Sequence, residues 1–364
     1  MKSYKSLLAR TLMDILYFSK IYQFLEPKYQ GVGVIFTLHH IVKCGETSPF
    51  EINRLLEITP EFLEQTIQQV IELGYDIVSL DEMRRRLTAQ DFSRRFVCFT
   101  IDDGYRDNYL NAYPIFKKYN VPFAIYINTG ITDGTALLWW RCLEKIILQE
   151  NRISLAINGR EQTFETTTLV QKQKIFTLLY WHLRGMPLDL QHRIVNAMAD
   201  KYQLSVTDLC LDCAMTWDML KEIAQNPLAT IGTHTVNHLA LSKLPEQEVI
   251  NEADLCRTLL NEKLNIDANH FCYPYGDEAS AFHREYKIIE RLGFKTATTT
   301  RKKVLFAEHA NYLHSLPRIP LNGLYQKRHY VRLLLSGVPS GLWESVKDLR
   351  SSLIAPLISL KRRQ

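Results

Sequence analysis

Apolar runs of β-favouring residues alternate with segments of helical periodicity along most of this chain. A buried strand is typically a short run rich in β-branched and aromatic residues, whereas an amphipathic helix repeats its apolar positions about every three to four residues. Runs of the first kind lie at residues 31–38, 96–101, 123–128, 229–233, 270–273 and 294–299. Helical patterns lie at residues 60–73, 107–119, 244–264 and 281–292. This alternation predicts an α/β fold built on a parallel sheet.

One region, residues 139–216, interrupts the alternation. It begins with Trp139 and Trp140, continues through a polar stretch and ends in helical patterns. Within it, Asn158-Gly159 separates two short β-favouring segments, and this dipeptide is a strong signal for a two-residue hairpin turn. Because the region follows the 123–128 strand, we expect an insertion of helices and a hairpin that covers the carboxyl ends of the strands.

The two ends of the chain are amphipathic. Residues 1–28 predict an N-terminal helix, and residues 326–364 predict a helical tail. The α/β domain therefore comprises residues 29–138 and 217–325. Packing of both ends on this domain is one interpretation of their apolar stripes, and shallow association with a membrane surface is the alternative.

Composition narrows the class of protein. Of the 364 residues, 46% are hydrophobic and 23% are charged, which is ordinary for a globular protein. The net charge of +5 comes mainly from dispersed basic residues, which argues against nucleic acid as a partner. Seven cysteines do not suggest a disulfide framework, and a reducing compartment is the simpler interpretation. Cys210 and Cys213 lack the second pair or histidine cluster of a zinc site, so we predict that they pack in a helix.

Targeting signals are weak in this sequence. The first residues include Lys2, Lys5 and Arg10, but Asp14 and Lys20 interrupt the apolar positions, and no small-residue cleavage pattern follows. No stretch reaches the roughly 18 uninterrupted apolar residues that a membrane span requires. We therefore expect a cytoplasmic protein, with peripheral membrane binding as the alternative.

Two carboxylates and two imidazoles follow predicted strands. Asp102 and Asp103 end one strand, and His234 and His238 follow another. Alone, the first pair is more typical of a turn, and the second is evenly balanced between a metal site and a surface pair. Together, one carboxylate and two histidines form a ligand set that leaves a metal position open for water. If a helical turn follows the strand, both imidazoles share one face, and the pattern predicts a metal-dependent hydrolytic site.

These motifs resemble those of the NodB-homology polysaccharide deacetylases, carbohydrate esterase family 4. Further segments extend the resemblance over roughly residues 30 to 322, namely Leu38–Val42, Thr59–Phe62, Gly74–Leu80, Phe271–Gly276 and Leu316–Pro320. The resemblance implies a distorted (β/α) barrel with its site at the carboxyl ends of the strands. It also implies hydrolysis of the acetamide of an N-acetylated amino sugar in a glycan or glycoconjugate precursor.

The resemblance implies a role for each matching residue. The family's ligands for a divalent metal, here expected to be zinc, correspond to Asp103, His234 and His238. Asp102 corresponds to the general base, and the backbone N–H of Tyr275 corresponds to the oxyanion donor. His314 is the nearest candidate for the general acid, although its spacing does not match the family motif well. A solvated loop histidine is an equal interpretation of His314.

One position departs from the family pattern. Many members have an arginine in the third motif that holds the catalytic carboxylate, and this chain has Cys272 there. We expect Arg318, on the closing strand, to replace that arginine, and Arg141 in the insertion is a weaker candidate. His39 and His40, in the opening motif, either line the pocket or lie in the core as hydrogen-bonded histidines.

Two alternative functions stay open at this point. An inactive sugar-binding relative would share the fold, and Cys272 together with the unassigned acid motivates it. A non-haem iron oxygenase also uses two histidines and one carboxylate, although the sequence shows no cosubstrate-binding partners. Trp139, Trp140 and Tyr275 offer flat faces to a sugar ring, and core packing is the alternative for at least one tryptophan.

Overall fold

The computed structural model describes residues 2–157 and 160–346. Its centre is one parallel sheet of eight strands, which we number in chain order. They are β1 (Gly33–Leu38), β2 (Asp76–Ile77), β3 (Phe96–Ile101), β4 (Phe123–Ile127), β5 (Ala229–Thr233), β6 (His270–Cys272), β7 (Thr296–Thr298) and β8 (Ile319–Pro320). Every residue of β1, β3 and β4 is buried, which explains why these strands are continuous apolar runs in the sequence.

The sheet curls into a distorted barrel. Its spatial order is β7-β6-β5-β4-β3-β1-β8, and the short β2 pairs with the start of β3. A parallel bridge between Thr298 and Leu316 joins β7 to the residues that lead into β8. This arrangement confirms the predicted distorted (β/α) barrel and its parallel sheet. Because the strands run in one direction, their carboxyl ends form a single face that can carry a site.

Helices flank and connect the strands. The α-helices are Lys2–Phe18, Ile21–Tyr29, Glu51–Arg54, Pro60–Glu72, Leu80–Ala89, Tyr113–Tyr119, Thr129–Thr132, Trp139–Gln149, Leu169–Gly185, Leu188–Lys201, Val206–Cys213, Trp217–Ala224, Glu246–Leu264, His283–Arg291, Arg328–Leu335 and residues 338–346. Asn108–Ala112 is π-helical, and Leu241–Lys243 and Ala307–Asn311 are 3₁₀-helices. Local sequence sets one helix start, because the Thr59 hydroxyl accepts the Phe62 N–H at 3.2 Å and Pro60 occupies the first helical position.

The insertion contains the predicted hairpin and its own apolar core. Strands Arg152–Ile157 and Arg160–Glu165 pair antiparallel, and the turn residues 158–159 lie outside the described residues. Apolar side chains of the hairpin and of the insertion's helices pack together. Phe176 of this core stacks on Phe50 with ring centroids 4.3 Å apart. This contact ties the insertion to the segment that follows β1.

The prediction for the N-terminus needs a correction. Instead of one helix over residues 1–28, the helices Lys2–Phe18 and Ile21–Tyr29 meet at Lys20, which has a left-handed φ of 61°. A residue in this conformation cannot continue a right-handed helix, so the chain changes direction there. Residues 328–346 are helical with one break, and the rest of the predicted tail lies outside the described residues. None of the helices in the described part of the chain has the length and apolar character needed to cross a membrane.

Candidate active site

Four polar side chains converge where β3, β5 and β8 meet. Asp102 and Asp103 follow β3 directly, His234 follows β5, and Arg318 immediately precedes β8. All four are buried, with at most 5% of each residue exposed. Charged groups are rarely this buried unless they are paired or bind a metal, so their grouping identifies a candidate site.

Asp103, His234 and His238 form a compact ligand set. Asp103 Oδ1 lies 3.3 Å from His234 Nε2 and 3.2 Å from His238 Nε2. One ligand atom from each residue lies within 4.8 Å of the other two. Asp103 Oδ1 is buried and, within the described residues, accepts no hydrogen bond of good geometry. A divalent cation held among the three atoms would satisfy this oxygen, so the residues present fit a metal site.

The loop that carries the histidines is not helical, which corrects the expectation of a helical turn. Thr235 and His238 have left-handed φ values of 67° and 53°. The Glu252 carboxylate accepts the N–H groups of Val236 at 3.0 Å and Asn237 at 2.8 Å, which fixes the turn. The two imidazoles therefore converge through a tight loop held by a neighbouring helix.

Hydrogen bonding selects the ring atom that His234 offers to a metal. Its Nδ1 lies 2.7 Å from the carbonyl oxygen of Cys272, which can only accept, so Nδ1 carries the proton. Nε2 then stays free to bind a cation. Burial opposes ionisation of Asp103, but the imidazoles of His234 and His238 hold the pKa of its carboxyl well below the usual value. The carboxylate is therefore ionised, as a metal ligand must be.

Arg318 occupies the space beside Asp102. Its Nη1 and Nη2 donate to the two carboxylate oxygens of Asp102, both at 2.7 Å. Nη2 also lies 3.1 Å from Cys272 Sγ, so the small thiol leaves room for the guanidinium. The predicted contact between Arg318 and Asp102 is present. Arg141, the weaker candidate, pairs with Glu144 instead.

The Arg318 pair sets the protonation state of Asp102. Burial alone would favour the neutral acid, but the charge and hydrogen bonds of Arg318 lower the pKa of the Asp102 carboxyl. Asp102, His234 and Cys272 also lie close enough to bind one ion. Both Asp102 oxygens already accept from Arg318, however, so Asp102 is better placed to take a proton than to bind a metal.

The turn after β6 holds Tyr275 in a left-handed conformation, with a φ of 62°. Such a conformation costs a non-glycine residue on the order of 1 kcal/mol, so neighbouring contacts must maintain it. The Tyr275 hydroxyl accepts from Trp139 Nε1 at 2.9 Å, and the Arg184 guanidinium lies 4.3 Å above the ring. Within the described residues the Tyr275 N–H meets no acceptor, so it is available to a ligand. The insertion therefore supports the turn that carries this N–H.

Removal of the Trp139 N–H donor tests whether the insertion supports the turn that carries Tyr275. We expect Trp139→Phe to lower kcat about 3- to 10-fold, the value of one hydrogen bond, with little change in metal content. Trp217→Phe is the matched control, because Trp217 Nε1 donates to Asp133 at 2.7 Å outside the cavity. Steady-state kinetics of both variants is the measurement. Equal kcat in Trp139→Phe and the wild type would show that the hydrogen bond does not position the turn.

The structure places the histidine candidates in two different locations. His314 does not line the cavity, since its Nε2 lies 2.7 Å from a backbone carbonyl beside a separate surface groove. This position contradicts the expectation that His314 supplies the acid. His39 and His40 do line the cavity. His39 Nε2 lies 3.7 Å from Asp102, whereas His40 Nδ1 lies 2.6 Å from Asp107.

These groups open into a cavity of about 360 Å³. The insertion contributes Trp140 and Tyr180 to its wall. The Trp140 ring lies 5.0 Å from the His238 ring, so this aromatic face stands next to the ligand set. Trp139 is only 3% exposed and packs in the insertion core, which leaves Trp140 as the tryptophan that can contact a sugar.

Comparison with known proteins assigns this geometry to a family. The family model for polysaccharide deacetylase matches residues 89–177 and 187–297, which is more than half of the chain. The chain belongs to the polysaccharide deacetylase family. The matched ranges include Asp102, Asp103 and His234 but not Arg318, and they cover most of the insertion.

Three individual relatives share limited sequence identity with this chain. YxkH of Bacillus subtilis (strain 168), named for the same family, is 29% identical over 91 residues, which is 25% of this chain and only 30% of YxkH. The Streptococcus pyogenes deacetylase PplD, solved with acetate, superposes with a TM-score of 0.51 at 20% identity over 80% of this chain and 92% of PplD. IcaB from Ammonifex degensii gives a TM-score of 0.51 at 15% identity over 84% of this chain and 96% of IcaB. These structures share the polysaccharide deacetylase fold.

Sequence reasoning missed several residues in and around the cavity, among them Tyr180, Arg184 and Asp107. Tyr180 and Arg184 line the cavity and lie four residues apart on one helix, a spacing that places them on the same face. Nothing in the sequence links that helix to the turn after β6. Asp107 could have been found, because it stands only four residues after Asp103 and supplies a carboxylate to His40.

Proposed function

We propose that this polysaccharide deacetylase hydrolyses the acetamide of an N-acetylated amino sugar in a polysaccharide or glycoconjugate precursor, in a metal-dependent reaction. One observation carries the proposal. The ligand set of Asp103, His234 and His238 lies beside the ion pair of Asp102 and Arg318 in a single cavity. Amide hydrolysis needs an activated water, a stabilised oxyanion and a proton for the amine, and the cavity offers a group for each.

The proposed metal would be held by Asp103 Oδ1, His234 Nε2 and His238 Nε2. A bound divalent ion lowers the pKa of water and polarises a carbonyl oxygen. Zinc is the first ion to test, because one carboxylate and two imidazoles are ligands that it commonly has in hydrolases. With three protein ligands, such an ion would retain a coordination position for water.

Asp102 is the proposed base. Ionised by its contact with Arg318, it would accept a proton as water adds to the acetyl carbon. The Tyr275 N–H would donate to the oxygen that becomes negative in the tetrahedral intermediate. Trp140 and Tyr180 would hold the sugar ring against the opposite wall of the cavity.

His39 is the proposed proton donor to the leaving amine. Of His39 and His40, His39 is the one whose ring nitrogen approaches Asp102. Burial lowers the pKa of His39 below its usual value, and the carboxylates of Asp102 and Asp103 offset only part of this effect. His40 is held away from this point, because its ring stacks on Tyr105 with centroids 3.9 Å apart and bonds to Asp107.

Substrates with different leaving groups can show whether His39 donates a proton or has only a structural role. We expect His39→Gln to lower amide turnover on the order of 10²-fold but to reduce hydrolysis of an activated aryl acetate much less, because that leaving group needs no proton. His40→Gln is the matched comparison and should affect both substrates similarly. A larger amide-specific loss in His40→Gln than in His39→Gln would transfer the role to His40.

Acetate release tests the proposed function as a whole. Metal content and acetate release would be measured on the same sample across a panel of N-acetylhexosamine monosaccharides and oligosaccharides. We expect chelation to abolish release and zinc to restore it. Metal-loaded protein that binds a glycan but releases no acetate would favour the inactive sugar-binding alternative. The iron oxygenase alternative has lost its support, because the chain belongs to a deacetylase family.

A further inference from the structure

The first N-terminal helix exposes an apolar face, and the second helix exposes a further large apolar side chain, Phe24. Six large apolar side chains are between 56% and 85% exposed, and they are Leu7, Leu8, Leu12, Ile15, Phe18 and Phe24. Those on the first helix recur at intervals of about three to four residues, so they lie along one side of it. Scattered exposed leucines are ordinary on protein surfaces, but a continuous stripe of this kind marks an interaction surface.

The opposite side of the same helix already packs on the protein. Met13, Leu16 and Tyr17 contact a small core that contains Leu333 and Val338. Asp14, on the same helix, bonds to His329 at 2.9 Å. These contacts fix the rotation of the helix, so its exposed apolar face cannot turn inward without breaking them.

The segment that carries this face is basic in sequence. Residues 2–30 contain two acidic residues, Asp14 and Glu26, and both have partners on a later helix. The Glu26 carboxylate accepts two hydrogen bonds from Arg332, both at 2.7 Å. The basic residues of the same segment are Lys2, Lys5, Arg10, Lys20 and Lys28. Basic residues thus outnumber acidic ones, and both carboxylates already have hydrogen-bond partners within the protein.

We propose that this face docks on the surface of an anionic lipid bilayer, with both helices lying in the plane of the interface. Exposed leucine and phenylalanine side chains would enter the boundary between headgroups and acyl chains, and the lysines would meet anionic headgroups. A second copy of the chain fits this surface less well, because dimerisation would bring two segments of net positive charge together. The proposal is independent of the reaction in the cavity.

Vesicle sedimentation with the full chain tests the proposal. We expect the protein to sediment with vesicles of phosphatidylcholine and phosphatidylglycerol, to bind phosphatidylcholine alone more weakly, and to dissociate as salt is raised. The triple variant Leu12→Glu, Ile15→Glu and Phe18→Glu should lower the partition coefficient at least about tenfold. The control places two glutamates at Leu169 and Val170, which are exposed apolar residues of the insertion, and should bind like the wild type.

Further measurements keep the result interpretable. Circular dichroism and acetate release from a soluble substrate show whether the triple variant is folded, and Phe24→Glu is a milder second variant. The proposal would be overturned if the wild-type protein did not bind anionic vesicles, or if the triple variant bound them as strongly as the wild type. A third outcome is that the wild type does not bind vesicles but forms a dimer at higher concentration, whereas the triple variant stays monomeric. This result would assign the face to a second copy of the chain.

Discussion

Asp102→Asn should keep the bound metal and lower the rate of acetate release about 10²- to 10⁴-fold, whereas Asp103→Asn should lose both metal and activity. The reason is the direction in which each carboxylate points. Asp103 Oδ1 faces the Nε2 atoms of His234 and His238, while both oxygens of Asp102 face Arg318. Loss of a general base commonly reduces a rate by this factor, and loss of one ligand in three weakens metal binding strongly.

The measurement pairs metal analysis with initial rates on one preparation of each variant. His238→Ala provides a second ligand variant and should match Asp103→Asn. Asp218→Asn, at an exposed carboxylate, is the control for loss of charge and should behave like the wild type. Asp102→Asn leaves the Arg318 charge without its partner, so melting temperatures must accompany the rates. Equal metal loss in Asp102→Asn and Asp103→Asn would refute the division of roles.

The polar site at the strand ends could be predicted from the sequence because two independent signals coincide there. β3 and β5 are apolar runs long enough to recognise, and the polar residues that follow them are of types that bind metals. The parallel arrangement then brings Asp103 and His234 together without further information. The family resemblance was needed to tell Asp102 from Asp103, since adjacent residues of one type have no distinguishing spacing.

Other parts of the structure could not be predicted from local patterns. β2 and β8 contain two residues each, too few for any periodicity. The histidine loop depends on Glu252, which lies on a helix that begins after the loop, so its left-handed residues have no local signal. The support of Tyr275 by Trp139 and Arg184 depends on how the insertion packs, which is a tertiary property.

In this barrel the arginine that contacts the catalytic carboxylate comes from a different strand than in the family pattern, which has it at the position of Cys272. An arginine in the third motif would come from the end of β6, whereas Arg318 comes from the residues that lead into β8. The Cys272 thiol is small, and Arg318 Nη2 lies 3.1 Å from its sulfur. The guanidinium therefore reaches Asp102 from another strand and makes the same kind of bidentate contact. The inactive-relative hypothesis loses one of its two motivations, since the carboxylate has its cation.

Arg318→Ala should lower turnover on the order of 10²-fold and move the acidic limb of the pH-rate profile to higher pH. Burial raises the pKa of Asp102, and in the wild type this effect is outweighed by Arg318 together with His39 and His234. Without Arg318 only the two histidines oppose the effect of burial, so the pKa of Asp102 rises. Because the base acts in its ionised form, activity is then lost at a higher pH as the solution is acidified.

Arg318→Lys should give an intermediate profile, because a lysine keeps the charge but cannot donate to both carboxylate oxygens from one planar group. Adding Cys272→Arg to Arg318→Ala should recover part of the lost rate by supplying the guanidinium from β6. Arg141→Ala removes another arginine of the cavity wall, one that pairs with Glu144, and should leave the acidic limb in place. Metal content should be unchanged in the whole series. Normal turnover with an unshifted acidic limb in Arg318→Ala would show that Arg318 has only a structural role. Another group would then have to keep Asp102 ionised.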